Sequence, residues 1–374
     1  MLRLLYRAHS CGCFPARDPF YFNRKEDLVK TVYFTDSSVV EQNALQSLLA
    51  FEERESIGQI AVFPDIHYCS ERSIPVGVAF QTTTVFYPLV TGKDMGCGVA
   101  YLRIPRQQVL RPFDKARHYR AFEREVPGMT DEGLGGGNHF LSLEASDDYW
   151  YIIVHTGSRN LGIYMYQQNC QLLQQHNPGH DWLPIELATP DYRREYGRVL
   201  AYAASRRQEF VYKAYDFLLR NRYVAPGTPL FADSCHNLLE FKPDAVIHRK
   251  GSTQLLGEGE VVIPLSMSRG SLIVKPNRWD ASLEQALWSC AHGAGRQHSR
   301  TDTLKFWHSL KKAEKDAYRQ RFPELLNRQG DFDSSILQEF DFAYKDSTAL
   351  LATQPYLIRC DETQPIITVK FTGV

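Results

Sequence analysis

The residues best suited to chemistry in this chain are four histidines, a cysteine and an aspartate, each set close to glycine, serine or asparagine. His139 lies in GLGGGNHF, His155 in IIVHTGSR, His236 in DSCHN and His292 in AHGAGR, while Asp94 and Cys97 share TGKDMGCG. Each histidine follows an apolar segment, the setting of a loop held at the end of a rigid element, where catalytic and binding groups gather. One Asp, one Cys and three His form a ligand inventory for one or two divalent transition metals. Thiolate and imidazole donors suit zinc, manganese or iron better than magnesium. Taken singly, each histidine is more simply a hydrogen-bonded loop or core residue. The candidate ligands are far apart in the chain and no HExxH occurs, so spacing does not decide between the two readings.

The loops add a second hint. GLGGGN and HGAGR expose backbone N–H groups without side-chain obstruction, which suits phosphate oxygens. Neither is a P-loop, since no GxxxxGK[ST] is present. A histidine inside such a loop is more specific, because a neutral imidazole nitrogen can attack phosphorus and later pass the phosphoryl group on.

These residues need elements to hold them. Residues 41–54 (EQNALQSLLAFEER) have helical apolar spacing, and 58–63 (GQIAVF) and 76–90 (VGVAFQTTTVFYPLV) read as strands. Glycine-rich turns follow at 91–98, 133–138 and 157–162. YWYIIVH predicts a buried strand delivering His155 at its C-terminal end, and residues 190–221 predict one long scaffold helix. Strands return at 244–249, 259–265 and 271–275. Ser282 and Gln285 suggest a capping box opening a helix over LEQALWSCA, which runs into HGAGR. Residues 303–355 are helical and polar, and IITVK forms a last strand. The expected fold class is α+β, a single compact domain spanning 1–374, with mixed β-sheets surrounded by helices and no linker dividing it.

Composition sets the outer bounds. Hydrophobic residues make up 43% and charged residues 23% of the 374 residues, as in ordinary globular proteins. No apolar run approaches the roughly 18 residues of a membrane span. The N-terminal MLRLLYRAHSCGCF lacks the apolar core of a signal peptide, so a cytoplasmic location is expected. Lys+Arg and Asp+Glu both number 43, a balance that excludes no RNA partner because a local basic groove is sufficient. Basic pairs at Arg193-Arg194, Arg206-Arg207, Arg249-Lys250 and Lys311-Lys312 read mostly as solvated helix faces. The eight cysteines, Cys11, Cys13, Cys69, Cys97, Cys170, Cys235, Cys290 and Cys360, contain no CxxC pair. Most are expected to be small buried hydrophobes rather than a disulfide framework.

With these motifs collected, the sequence resembles the RtcB family of RNA-splicing ligases. The motifs run in order from about residue 60 to the C-terminus: PDIH at 64–67, DMGCG at 94–98, GGGNHF at 135–140, HTGSR at 155–159, HN at 236–237, HRKGST at 248–253, SM at 266–267, HGAGR at 292–296 and VK at 369–370. The resemblance implies an RtcB-like fold and a GTP- and manganese-dependent RNA ligase. Two manganese ions are implied, with Asp94 and His139 on the first, His155 and His236 on the second, and Cys97 bridging them as a thiolate. His292 is implied as the nucleophile that attacks the GTP α-phosphate and becomes guanylylated. Asn138, His139, Ser142, His236, Asn237, Pro264, Ser266, Met267, Ser271, Gly293, Ala294, Gly295 and Lys370 match positions that hold the guanylate. The implied substrates are RNA ends carrying a 3′-phosphate, or a 2′,3′-cyclic phosphate hydrolysed first, and a 5′-hydroxyl. An archease-like activator or a release-factor-like protein are implied partners, and the expected state is monomeric.

The sequence also departs from the family pattern. Ser142 stands where a guanine-recognising Glu is usual, with Glu144 two residues on; Leu265 and Ser268 replace glycines of GSMG, and Cys69 replaces the glycine of PDxHxG. These changes and the short chain suggest a divergent RNA-repair paralogue. Two other readings use the same residues: a metal-dependent RNA-end phosphoesterase with a water nucleophile, and a degenerate member that binds RNA without chemistry.

Overall fold

The computed structural model describes residues 30–370 apart from 37, 39, 70–72 and 127–132. The segment MLRLLYRAHSCGCF, with Cys11 and Cys13, lies outside the described residues. In chain order the first strands are β1 (Lys30–Tyr33), β2 (Ile57–His67), β3 (Val76–Thr82), β4 (Val85–Phe86), β5 (Gly98–Pro105), β6 (Phe140–Ala145), β7 (Tyr149–Thr156) and β8 (Leu183–Pro184). The remainder are β9 (Leu230–Cys235), β10 (Asn237–Phe241), β11 (Val246–Lys250), β12 (Ser252–Gln254), β13 (Val261–Ser266), β14 (Gly270–Pro276), β15 (Ser289–Ala291), β16 (Leu357–Glu362) and β17 (Gln364–Val369). The helices are α1 (Gln42–Glu52), α2 (Lys115–Glu125), α3 (Asn160–His176), α4 (Pro190–Arg220), α5 (Ser282–Gln285), α6 (Arg300–Ser309), α7 (Lys312–Arg321), α8 (Ser334–Leu337) and α9 (Thr348–Ala352).

Two five-stranded sheets dominate this α+β fold. One has the order β1-β2-β3-β11-β10 and the other β17-β6-β7-β5-β9. The first is mixed, since β1 runs parallel to β2 while its other pairings are antiparallel; the second is antiparallel throughout. A three-stranded sheet, β13-β14-β16, and the two-stranded ladder β12-β15 complete the surroundings of the site. Strand β7 is apolar on both faces because it is central and covered twice. Leu102, Leu143, Ile152 and Val154 pack toward α4, α2 and the C-terminal helices, while Tyr101, Tyr151 and Ile153 meet Val262 and Ile273 of the three-stranded sheet.

Helix α4 is long because its ends and its stripe agree. Thr189 caps it by accepting from the Tyr192 N–H, Pro190 opens it, and Tyr192, Tyr196, Val199, Ala203, Phe210, Ala214 and Phe217 recur on the buried face. That stripe includes Arg206 and Arg207, which are buried rather than solvated; Arg249 and Lys250, on β11, are buried as well. Half of the basic pairs are therefore structural, because each buried cation meets an acceptor: Arg207 meets Asp233 and Arg249 meets Glu240.

Three further expectations are corrected. The helix over LEQALWSCA stops at Gln285: Leu287 and Trp288 adopt positive φ, and Ser289–Ala291 turns into β15 to pair with β12. Ser282 lies inside α5, and Asp280 accepts from its N–H and hydroxyl instead. Of the six described cysteines, all free, Cys97 and Cys290 alone are buried; Cys170 and Cys235 are half-buried, and Cys69 and Cys360 are exposed. Among the described residues, no helix is long and apolar enough to cross a membrane.

Candidate active site

Antiparallel register gathers the site. Gly98, the first residue of β5, lies opposite Thr156 at the end of β7 and Cys235 at the end of β9, and Phe140, the first of β6, lies opposite His155. The residues just before β5 and β6 and at the ends of β7 and β9 therefore share one sheet edge. Those residues are Cys97, His139, His155 and His236. Cys97 Sγ lies 3.3 Å from His139 Nε2 and 3.2 Å from His155 Nε2. On one side His139 Nε2 is 3.3 Å from Asp94 Oδ2; on the other, His155 Nε2 is 3.3 Å from His236 Nε2. The sulfur thus stands between an Asp–His pair and a His–His pair.

The orientation of the rings tests whether this cluster fits a metal. His139 Nδ1–H donates to Leu134 O at 2.9 Å, and His155 Nδ1–H donates to Asn138 O at 3.1 Å. With their protons on Nδ1, both rings turn bare Nε2 lone pairs toward the sulfur. Fixing imidazole ligands through the remote nitrogen is the usual support of a metal site. Lone pairs facing one another across about 3.3 Å repel, and a cation among them converts that repulsion into coordination. The Cys97, His139 and His155 donor atoms lie within 4.8 Å of one another. The donor set fits a soft or borderline divalent ion.

Burial shapes the charges. It drives His155 and His236 well below the usual imidazole range, reinforced by neighbouring imidazoles, so both rings are neutral at pH 7. It pushes the Cys97 thiol up, with Asp94 adding to the effect and Arg207 opposing it. Burial pushes the Asp94 carboxyl up, but the influence of the adjacent His139 and Cys97 outweighs it and holds the carboxyl at about 2. Beneath the cluster, Arg207 donates to Gly96 O at 2.6 Å and Thr156 O at 3.0 Å and pairs with Asp233 at 2.5 Å. One buried guanidinium therefore ties together the three segments that carry Cys97, His155 and His236. Gly157 has no room for a side chain, because an added Cβ would run into Asp94 Oδ1.

His292 follows β15 and continues the row of imidazoles. Ring centroids are 5.0 Å apart for His139 and His155, 5.0 Å for His155 and His236, and 4.9 Å for His236 and His292. Asp65, on β2 and fully buried, accepts from the backbone N–H of His292 at 2.9 Å and from its Nδ1–H at 2.5 Å. The lone pair of His292 is thereby fixed on Nε2. Gly295, at φ +73°, lets this loop approach Asp65, whose Cα would lie 2.6 Å from an added Cβ. His292 lines a cavity of about 350 Å³, within the usual range for small-molecule sites.

The cavity receives most of the residues matched to a guanylate. Asn138, Pro264, Ser266, Met267, Ser271, Gly293, Ala294, Gly295 and Lys370 line it, together with His155. His139 and His236 lie in the ligand cluster behind it. Ser142 and Asn237 are not among the lining residues. Ser142 is buried and donates to Glu144 at 2.6 Å, while Asn237 accepts from Gly251 N–H and donates to Asp94 O, bracing the Asp94 loop. Glu144 does face the cavity, its carboxylate held by the Ser142, Ser271 and Thr363 hydroxyls. Burial raises it, and those three hydroxyls oppose the rise. Lys370, also on the wall, pairs with Glu339 at 2.6 Å. Asp65, His67, Arg296, Arg300, Glu339 and Tyr344 were not singled out as site residues from sequence. PDIH carried the signal for the first two, and HGAGR for Arg296.

A buried sulfur–imidazole cluster with a partly exposed carboxylate, beside a cavity and built on the edge of an antiparallel sheet, defines an α+β protein with a candidate transition-metal site. The chain belongs to the RtcB family: the family described as tRNA-splicing ligase RtcB matches residues 115–371. Escherichia coli RNA-splicing ligase RtcB2 is 26% identical over 397 residues, covering 94% of this chain and 98% of that protein. RNA-splicing ligase RtcB of Escherichia coli K12 is 25% identical over 90% of this chain and 96% of its own length. The tRNA-splicing ligase RtcB of Nanoarchaeum equitans is 26% identical, over 57% of this chain and 53% of its own.

Proposed function

We propose that this chain is an RNA ligase that joins a 3′-phosphate or 2′,3′-cyclic phosphate end to a 5′-hydroxyl end, using GTP and a guanylylated His292, within one catalytic unit. The observation that carries this reading is the hold of Asp65 on His292. Fixing Nδ1–H directs Nε2 into a cavity beside the cluster of candidate metal donors. Relatives that share almost the whole chain are named RNA-splicing ligases.

Asp94, Cys97, His139, His155 and His236 would hold two manganese ions. Bound there, they supply positive charge that polarises phosphoryl oxygens. His292 Nε2 attacks the α-phosphorus of GTP, and the nitrogen–phosphorus bond forms as pyrophosphate leaves. The guanylate passes from nitrogen to an oxygen of the RNA 3′-phosphate, turning a poor leaving group into a good one. The 5′-hydroxyl then attacks that phosphate and GMP departs. The guanylate sits between the HGAGR loop, whose glycines leave backbone open to phosphate, and the wall of Pro264, Ser266, Met267 and Ser271. Glu144 and Lys370 both line this cavity, and Glu144, two residues along the same strand face, would supply the carboxylate missing at Ser142.

Incubation with α-labelled GTP and manganese tests this, followed by ligation of 3′-phosphate and 5′-hydroxyl oligonucleotides. Wild type is expected to take up an acid-labile label that His292→Ala abolishes without loss of folding or metal. Hydrolysis of RNA ends with no label would instead identify a phosphoesterase.

A further inference from the structure

A third imidazole lines the cavity besides His155 and His292, and it has no part in the steps above. His67 lies at the end of β2, half-buried, with its ring on the cavity wall. Its Nδ1 is 2.9 Å from Asp65 O. A carbonyl oxygen only accepts, so the ring carries its proton on Nδ1 and leaves a lone pair on Nε2. Asp65 therefore orients two rings at once. Its carboxylate fixes His292 and its main-chain carbonyl fixes His67, each with Nε2 as the available nitrogen. Burial, aided by the proximity of His292, favours the neutral ring, against the opposing pull of Asp65 and Glu41.

The proposed reaction has a matching need. Attack by His292 takes no proton from its nucleophile, since Nε2 is already bare, and transfer of the guanylate to a phosphate oxygen takes none either. Sealing differs, because the attacking 5′-hydroxyl must lose its proton as the new bond forms. Resting on the RNA-ligase reading, we propose that His67 is the general base of the sealing step. The 5′-oxygen forms its bond to the 3′-phosphorus while its proton moves to His67 Nε2. The bond from that phosphorus to the bridging oxygen of the guanylate breaks, and GMP leaves with the electron pair. The imidazolium then returns its proton to solvent, with no change of oxidation state.

The test uses the full chain loaded with manganese and separates the steps. One assay measures labelling of His292 by α-labelled GTP. The other measures sealing of an RNA already guanylylated at its 3′-phosphate to a 5′-hydroxyl strand. His67→Gln keeps a donor for Asp65 O but no basic nitrogen. It is expected to slow sealing by roughly 10²–10⁴-fold, the usual worth of a general base, while labelling falls less than about threefold. In His67→Ala, added imidazole is expected to restore part of the sealing rate, which a purely structural role would not allow. Sealing by His67→Gln within about threefold of wild type would overturn the proposal. So would an equal fall of both steps, which would make His67 a wall of the cavity only. Absence of both labelling and sealing in wild type would instead remove the ligase reading on which it rests.

Discussion

Because Asp65 accepts from both the backbone and the ring of His292, changing its charge acts on the tautomer before it acts on shape. An Asn at position 65 can turn its NH₂ toward Nδ1, which moves the ring proton to Nε2 and hides the nucleophile. Asp65→Asn is expected to lower labelling by GTP by roughly 10²–10⁴-fold, the range seen when an imidazole loses its orienting carboxylate. Circular dichroism should stay that of wild type, and labelling within tenfold would show that Asp65 is not needed for orientation. Glu144→Gln replaces an acceptor at the proposed base edge by a mixed donor and acceptor. The ratio of GTP to ATP labelling is expected to fall by at least tenfold, and an unchanged ratio would clear Glu144 of that role. A third residue governs acid sensitivity. His248 is fully buried, stacks on Phe80 at 4.3 Å, accepts from the Tyr87 N–H, and is held down at about 3 by burial. Its folded value lies below the unfolded one, about 6.5. Its contribution is therefore complete above pH 6.5 and is lost as pH falls toward 3, at about 1.4 kcal/mol per pH unit. Urea titrations at pH 6 and pH 4 should show a shallower pH dependence for His248→Gln by about that slope, and equal slopes would refute the assignment.

At the scale of elements, helix α4 supports the site through a single side chain. Arg207 reaches Gly96 O, Thr156 O and Asp233, so its loss frees three ligand-bearing segments and strands a carboxylate. Arg207→Met is expected to cost about 3–5 kcal/mol, as for other broken buried pairs, and to weaken metal retention on dialysis. Full metal content with unchanged stability would show that α4 is inert toward the site. The sequence made α4 legible as a helix, since its stripe, cap and proline agree, but its charged residues looked like a solvated face. A pair such as Arg206-Arg207 carries no local sign of burial; acceptors distant in the chain create it. The same limit explains Ser289–Ala291. LEQALWSCA has helical spacing, yet pairing with β12 outweighs local preference and turns the chain into the strand that presents His292. His139, His155, His236 and His292 were legible because each sits beside a glycine-containing or HN motif. Asp65 is not legible as a site residue because its partner, His292, lies more than two hundred residues away, and His67 is held in turn by Asp65 O.

Across the whole molecule, the donors Asp94, Cys97, His139, His155 and His236 come from four strand ends of one sheet, while His292 and Asp65 come from neighbouring ladders. The proposed ions would therefore cross-link parts that are remote in sequence, and an ion that binds the folded chain alone stabilises it by mass action. At a hundred times the dissociation constant that gain is about 2.7 kcal/mol. The thermal midpoint is expected to rise with manganese and fall with a chelator, and Cys97→Ser should lose most of the increment. A midpoint indifferent to manganese in wild type would argue against the centre. The arrangement also has an order in time. All five proposed ion donors precede Asn237, whereas much of the proposed nucleotide wall runs from Pro264 to Lys370, which directly follows β17, the neighbour of β6. During translation, therefore, every proposed cation donor is made before the first residue of that stretch of wall, so these two parts of the proposed centre are synthesised one after the other.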